Sequence, residues 1–157
     1  MPFHIILYEP EIPPNTGAIM RLAANTGATL HLIEPLAFEL DDRRMRRAGL
    51  DYRDWADVRT HPNLESCLSQ SLLPAASLWA FSTRGKRLYT NAEYQPGDAL
   101  LFGPETRGLP AELLARLPAD SLLRMPMQAQ SRSLNLANTV SVAAYEAWRQ
   151  MEFIGGQ

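Results

Sequence analysis

Most of the groups in this 157-residue chain that could do chemistry fall in its last third. A short apolar run, Ala99-Leu100-Leu101-Phe102, is followed at once by Gly103-Pro104-Glu105-Thr106-Arg107-Gly108-Leu109. A second run, Leu123-Arg124-Met125-Pro126-Met127, leads to Ser131-Arg132-Ser133-Leu134-Asn135 at the head of a long helical pattern. Each run reads as a buried strand whose C-terminal end opens into a loop, and open α/β sheets bind ligands along that edge. Gly103 removes a side chain where a ligand must approach backbone, and Pro104 stiffens the exit. Glu105 brings one fixed negative charge into the loop. Ser131, Ser133 and Asn135 set hydroxyl and amide groups beside the unpaired N–H donors of a helix start. Singly, a Gly-Pro pair is a turn and a serine is a cap. Their concentration in one stretch is what points to a binding site. Neither G-x-G-x-x-G nor G-x-x-x-x-G-K spacing occurs there, so neither type of phosphate cradle is implied.

The other candidates are cationic. The formal net charge of −2 argues against a blanket nucleic-acid binder. Yet every basic residue but Lys86 is arginine, the side chain suited to bidentate phosphate contacts and to stacking on bases. Two clusters stand out, Arg43-Arg44-Met45-Arg46-Arg47 and Arg84-Gly85-Lys86-Arg87. The bland alternative is a solvated helix face paired with nearby Asp41, Asp42, Asp51 and Asp54. Cys67 is alone, which excludes an internal disulfide and a cysteine-cluster metal site, and it reads as a core residue. His4, His31 and His61 show no ligand spacing, and His4 and His31 fall within strand patterns as structural residues. No metal is expected.

The elements that must position these groups alternate. Strands are expected at Phe3 to Tyr8, Thr29 to Ile33, Ser77 to Ser82, Ala99 to Phe102 and Leu122 to Met125. Helices are expected from Asn15 to Gly27, from about Asp41 to Ala48, from Asn63 to Leu72, from Pro110 to Leu117 and from Leu134 to Met151. The order predicts an α/β fold with a mostly parallel sheet and helices on both faces. The length and an apolar fraction of 46% fit one domain over residues 1–157. No apolar stretch is long enough to span a bilayer. The N-terminus lacks the basic region and cleavage site of a signal peptide, so a cytoplasmic location is expected. The last helix carries two apolar sides, Leu134, Ala137, Val140 and Ala144 on one, Val142, Tyr145, Trp148 and Met151 toward another. A helix apolar over so much of its circumference needs a second cover, and a homodimer is expected to supply it.

Four segments carry a more specific likeness. They are Tyr8-Glu9-Pro10-Glu11-Ile12-Pro13-Pro14-Asn15-Thr16-Gly17, Arg46-Arg47-Ala48-Gly49-Leu50-Asp51-Tyr52, Phe102-Gly103-Pro104-Glu105-Thr106-Arg107-Gly108-Leu109 and Tyr145-Glu146-Ala147-Trp148-Arg149-Gln150. Together, and in that order, they resemble the TrmL (YibK) family of small SPOUT-class tRNA 2′-O-methyltransferases across essentially the whole chain. The resemblance implies a C-terminal trefoil knot, which general topology rules would not suggest. It implies S-adenosylmethionine as methyl donor, bound bent in the knot, and a homodimer. The implied substrate is the ribose of the wobble nucleotide, position 34, in the anticodon loop of leucine tRNAs, either a cytidine or a modified uridine.

By the same resemblance, Phe81, Gly103, Met125, Ser133 and Leu134 would line the donor pocket. Phe81 and Met125 stand where the family has aliphatic residues, which backbone contacts tolerate. Asn15 and Arg21 match an Asn-x-x-x-x-x-Arg motif, Glu105 an acidic second motif, and Ser133 and Asn135 a third. Ala137-Asn138-Thr139 replaces a common Ser-Asn-Ala. A ribose hydroxyl is a poor nucleophile, while a sulfonium is already a good electrophile and needs no metal. Alignment of oxygen, methyl carbon and sulfur can supply roughly 7–11 kcal/mol. The proton needs a base, or a cation beside the developing alkoxide. Arg21 suits the second role better, since a guanidinium deprotonates only above about pH 12. Arg43, Arg44, Arg46 and Arg47 would contact tRNA. Tyr145 would stack on a base or pack between subunits. Two other readings remain open: a relative acting at another tRNA or rRNA site, and a non-catalytic RNA binder.

Overall fold

The computed structural model describes residues 1–40, 42–49 and 57–157. Asp41, Leu50-Asp51-Tyr52 and Asp54, named above, lie outside the described residues. Among those described, seven strands form one parallel sheet in the order β3-β2-β1-β6-β4-β7-β5. They are β1 (His4–Tyr8), β2 (Thr29–Ile33), β3 (Asp57–His61), β4 (Leu78–Phe81), β5 (Arg87–Leu88), β6 (Ala99–Phe102) and β7 (Leu122–Arg124). The helices are α1 (Pro13–Thr26), α2 (Arg43–Gly49), α3 (Leu64–Ser71), α4 (Ala111–Arg116) and α5 (Leu136–Gln150).

The central strands are apolar on both sides because both faces are covered. One core joins Phe3, Ile5, Leu7, Leu30, Leu100 and Phe102 to Ile19 and Met20 of α1 and to Val140, Ala143, Ala144 and Ala147 of α5. The opposite core joins Ile6, Ile33, Ala80 and Leu101 to Leu64 and Cys67 of α3 and to Leu113 and Leu114 of α4. Just ahead of β6, the buried Asp98 carboxylate accepts from Ser77 N–H, Trp79 Nε1–H and Gln95 N–H at 2.8–2.9 Å.

The expected α/β architecture is the one observed, with several local differences. Two strands have no counterpart in the sequence reading. β3 (Asp-Val-Arg-Thr-His) is an edge strand with one aliphatic residue, so it lacks the apolar signal of a buried strand. β5 has only two residues and forms the other edge. Helix α1 begins at Pro13, two residues ahead of Asn15: prolines at its first two positions carry no N–H to leave unpaired. Helix α5 begins at Leu136 rather than Leu134, because Asn135 caps it by accepting from Asn138 N–H at 3.1 Å. The proposed second apolar side of α5 is divided. Trp148 and Met151 are buried in the core of this one chain, whereas Val142 and Tyr145 are exposed.

Candidate active site

The register of the sheet brings three strand ends level. Phe81 pairs with Phe102 across β4 and β6, and with Leu123 across β4 and β7. The two phenyl rings stack with centroids 4.6 Å apart. Beyond this edge lies a cleft of about 380 Å³. The loops after β4, β6 and β7 wall it, and the first turns of α1 and α5 close it.

Sequence reasoning proposed nine residues for the donor pocket and the reacting centre, and eight of them line this cleft. Phe81, Gly103, Met125, Ser133 and Leu134 are there, with Asn15, Glu105 and Asn135. Arg21 is not among the lining residues; it sits further along α1 with its side chain exposed. The lining also includes Ser82, Thr83, Arg84 and Arg107, which the sequence reading did not single out for the cleft.

The loops are fastened to each other at the cleft mouth. The Glu105 carboxylate accepts from Glu11 N–H at 3.0 Å through Oε1 and from Ile12 N–H through Oε2. Ile12 is the N-cap of α1 and has no capping side chain of its own, so Glu105 places its charge at the positive end of that helix. The reverse link is equally direct. Glu11 Oε1 accepts from the Thr106 N–H at 2.9 Å and from the Thr106 hydroxyl at 2.7 Å. These bonds hold the Glu11 carboxyl below the usual carboxylate range, the backbone N–H first and the hydroxyl second. Arg107 faces Glu9 at 3.6 Å, and Glu9 leaves β1 with φ +49°, an uncommon left-handed conformation for a residue with a side chain.

A second fastening joins the two helix starts. Asn135 Nδ2–H donates to Asn15 Oδ1 at 3.1 Å while its own Oδ1 caps α5. Gly103 is where the chain folds back on itself. A Cβ there would lie 2.4 Å from Leu109 N and 2.5 Å from Gly108 C. The glycine is therefore required by the return of its own loop, which is a different need from the one inferred from sequence.

The arginine cluster lies on α2, with Arg43, Arg44, Arg46 and Arg47 exposed. Arg44 is paired with Asp42 at 3.2 Å, a pairing that the bland alternative expects. Tyr145 is exposed and meets Trp148 edge-on at 5.6 Å.

The histidines need a correction. Spacing along the chain gave no reason to group them, but parallel strands in register do. His4 Nδ1 lies 2.9 Å from His31 Nε2, and His31 Nδ1 lies 2.9 Å from His61 Nε2. Burial pushes the His31 imidazole down to about 3, with its two neighbours adding to the effect. Ligating atoms of His31, His61 and Cys67 come within 4.8 Å of one another, so these three have the geometry to hold a metal. The rings already satisfy each other, however, and burial raises the Cys67 thiol to about 11, which disfavours the thiolate a metal needs.

Comparison with known proteins places this geometry. Among the described residues no helix is long and apolar enough to cross a membrane. A tRNA (cytidine(34)-2′-O)-methyltransferase of Saccharophagus degradans is 55% identical over 155 residues, covering 99% of both chains. A solved structure bearing on 2-OH methylation of C/U34 on tRNA superposes with a TM-score of 0.89 at 49% identity, covering 96% of each chain. The AdoMet-bound rRNA methyltransferase of Sinorhizobium meliloti superposes with a TM-score of 0.83 at 26% identity, over 96% of this chain and 57% of the other. The model of the SpoU rRNA Methylase family matches residues 2–145. With that match spanning nearly the whole chain, and the cleft lying at the strand ends, this protein is a methyltransferase belonging to the SpoU methylase family.

Proposed function

We propose that the chain, acting as one catalytic domain, transfers a methyl group from S-adenosylmethionine to the ribose 2′-hydroxyl of nucleotide 34 in tRNA. The accepted nucleotide is a cytidine or a modified uridine, and the substrates are leucine isoacceptors. The observation that carries this reading is that eight residues from separate segments, expected from the family resemblance, line one cleft in a chain 55% identical to a tRNA (cytidine(34)-2′-O)-methyltransferase.

The lining suits the donor. Phe81, Phe102, Leu114, Met125 and Leu136 offer apolar wall for a purine, and Ser133, Asn15, Asn135 and Thr139 offer polar rim for hydroxyls. When bound, the donor supplies an electrophilic methyl on sulfonium. The protein's part is to hold the 2′-oxygen in line and to handle one proton. The new C–O bond forms as C–S breaks, leaving S-adenosylhomocysteine and a proton released from the hydroxyl. No metal is needed for that balance.

Arg21 is the proposed electrostatic partner of the developing alkoxide. Its place on the exposed side of α1 supports delivery to the cleft of a second copy, in the homodimer that the exposed Val142 and Tyr145 of α5 would help to build. Arg43, Arg46 and Arg47, with Arg44, are the proposed tRNA contacts. The trefoil knot implied by the family resemblance belongs to the same reading. Incubation with labelled donor and unmodified total tRNA, followed by mapping, should place one methyl on the ribose of nucleotide 34. Label at another nucleotide would move the substrate, and donor binding without transfer to any RNA would leave a non-catalytic binder. Arg21→Ala should abolish transfer while sparing donor affinity.

A further inference from the structure

The turn after β4 is held more firmly than a surface connection requires. Ser82 N–H donates to Leu123 O at 2.9 Å, and Gly85 N–H donates back to Ser82 O at 3.1 Å. Arg84 N–H donates to Ser82 Oγ at 3.1 Å. Gly85 lies so close to β7 that a Cβ on it would stand 2.7 Å from Leu123 C. The turn is therefore pinned to β7 at its start and at its end. Between those two points, Ser82, Thr83 and Arg84 line the cleft.

The charge of Arg84 is unspent. Among the described residues its exposed side chain makes no ion pair and no side-chain hydrogen bond. Its neighbours contrast with it. Arg107, the other cation lining the cleft, faces Glu9 at 3.6 Å. Arg87 donates to Asp120 O and Asn91 O and lies 5.5 Å over the Trp79 ring. Glu105, the carboxylate of the lining, is engaged by two backbone N–H groups and does not reach for Arg84. A rigid turn that presents one unpaired guanidinium to a ligand cleft is built to receive an oxyanion.

We propose that Arg84 is the oxyanion receptor of this cleft. Resting on the methyl-transfer reading, the oxyanion has two sources: the α-carboxylate at the methionyl end of the donor, or the phosphate beside the target ribose. Both are planar or forked oxygens that a guanidinium grips bidentately.

Titration calorimetry separates them. The probes are S-adenosylhomocysteine, 5′-methylthioadenosine, which lacks the carboxylate, and tRNA. If Arg84 takes the carboxylate, Arg84→Gln weakens S-adenosylhomocysteine about tenfold or more and leaves 5′-methylthioadenosine unchanged. If it takes the phosphate, nucleoside binding is unchanged, while tRNA affinity falls and its salt slope shrinks by about 1. Lys86→Ala removes an exposed charge two residues away that does not line the cleft, and it should change neither. Unchanged binding of all three probes by Arg84→Gln overturns the proposal, and so does an equal loss in Lys86→Ala. A wild-type protein that binds no S-adenosylhomocysteine instead overturns the methyl-transfer reading itself.

Discussion

Replacing Gly103 with alanine tests the architecture of the cleft most directly. The added Cβ would lie 2.4 Å from Leu109 N, 2.5 Å from Gly108 C and 2.9 Å from Gly108 Cα, against 3.4 Å or more for ordinary contact. All three atoms are backbone, so no side chain can rotate away. The loop must retreat by about 1 Å at its closest point. Leu109 moves with it, and Leu109 is buried against Leu113 and Leu114. Overpacking costs about 1–3 kcal/mol, and partial exposure of Leu109 adds to it. A total near 3 kcal/mol lowers Tm by about 6–12 °C in a chain of this size. Because Gly103, Gly108 and Leu109 line the cleft, affinity for S-adenosylhomocysteine should fall at least tenfold. Gly97→Ala serves as the control. Gly97 has φ +93° and nothing within 4 Å of an added Cβ, so it incurs backbone strain alone, far from the cleft. Its Tm should drop with donor affinity intact. Calorimetry of both variants gives the answer. If Gly103→Ala melts within 2 °C of the wild type and binds normally, the loop is not packed on Gly103 and the cleft has a different wall.

Asp98→Ala strands two backbone N–H groups and the Trp79 indole N–H in a buried site, and should cost about 3–5 kcal/mol in urea unfolding; a loss below 1 kcal/mol would mean the three bonds contribute little. Thr16 Oγ1 is buried without a partner among the described residues, so Thr16→Val should be neutral or stabilising by up to about 1–2 kcal/mol, and a clear drop in the denaturation midpoint would reveal a hidden bond. The buried His31, His4 and His61 resist protonation when folded and accept it near the ordinary imidazole value of 6.5 when unfolded. Stability should therefore be complete above about pH 6.5 and decline as pH falls toward 3, by about 1.4 kcal/mol per pH unit for each ring that stays neutral; a flat profile from pH 7 to 5 contradicts this. Glu105→Gln can accept only one of the two backbone N–H groups, so it should weaken donor binding and lower Tm while leaving the pH profile of methyl transfer in place; a lost acidic limb would make Glu105 the base.

Much of this was readable from sequence because parallel strands announce themselves. Ile5-Ile6-Leu7 and Leu100-Leu101-Phe102 are apolar on both sides, which places them mid-sheet and places the loops after them at the ligand edge. The serine and asparagine groups at the head of α5 followed from capping. What escaped depends on contacts between distant segments. β3 owes its place to pairing with β2 from Thr29↔Asp57 to Ile33↔His61, and its own residues are too polar to show it. The histidine column exists only in the registered sheet. Arg84 looked like part of a surface charge cluster, because nothing in its neighbours tells that Gly85 is pressed against β7. Sequence places Glu105 in the loop as a fixed negative charge but does not give its partners, because its engagement by Glu11 and Ile12 comes from a loop more than ninety residues earlier.

That engagement bears on how the proposed reaction disposes of its proton. Glu105 already accepts two N–H bonds at the head of α1, and Glu11 is held as the anion by Thr106. Asn15 and Asn135 are bonded to each other and are not bases at any accessible pH. Among the described residues lining the cleft, Ser133 offers a hydroxyl, and Arg84 and Arg107 offer charge without basicity. A cleft so furnished holds a ligand and orients a sugar, yet it contains no unengaged carboxylate and no imidazole. Its contribution to rate is therefore positioning, for which effective molarities account for roughly 7–11 kcal/mol. Arg84 is proposed above to hold an oxyanion and Arg107 faces Glu9, so steadying the alkoxide as the proton leaves to water is the task we propose for Arg21. Arg21 is exposed on α1 and outside the lining of its own cleft, so in the proposed homodimer it would serve the cleft of the second chain, and the dimer would then be part of the chemistry as well as a cover for α5.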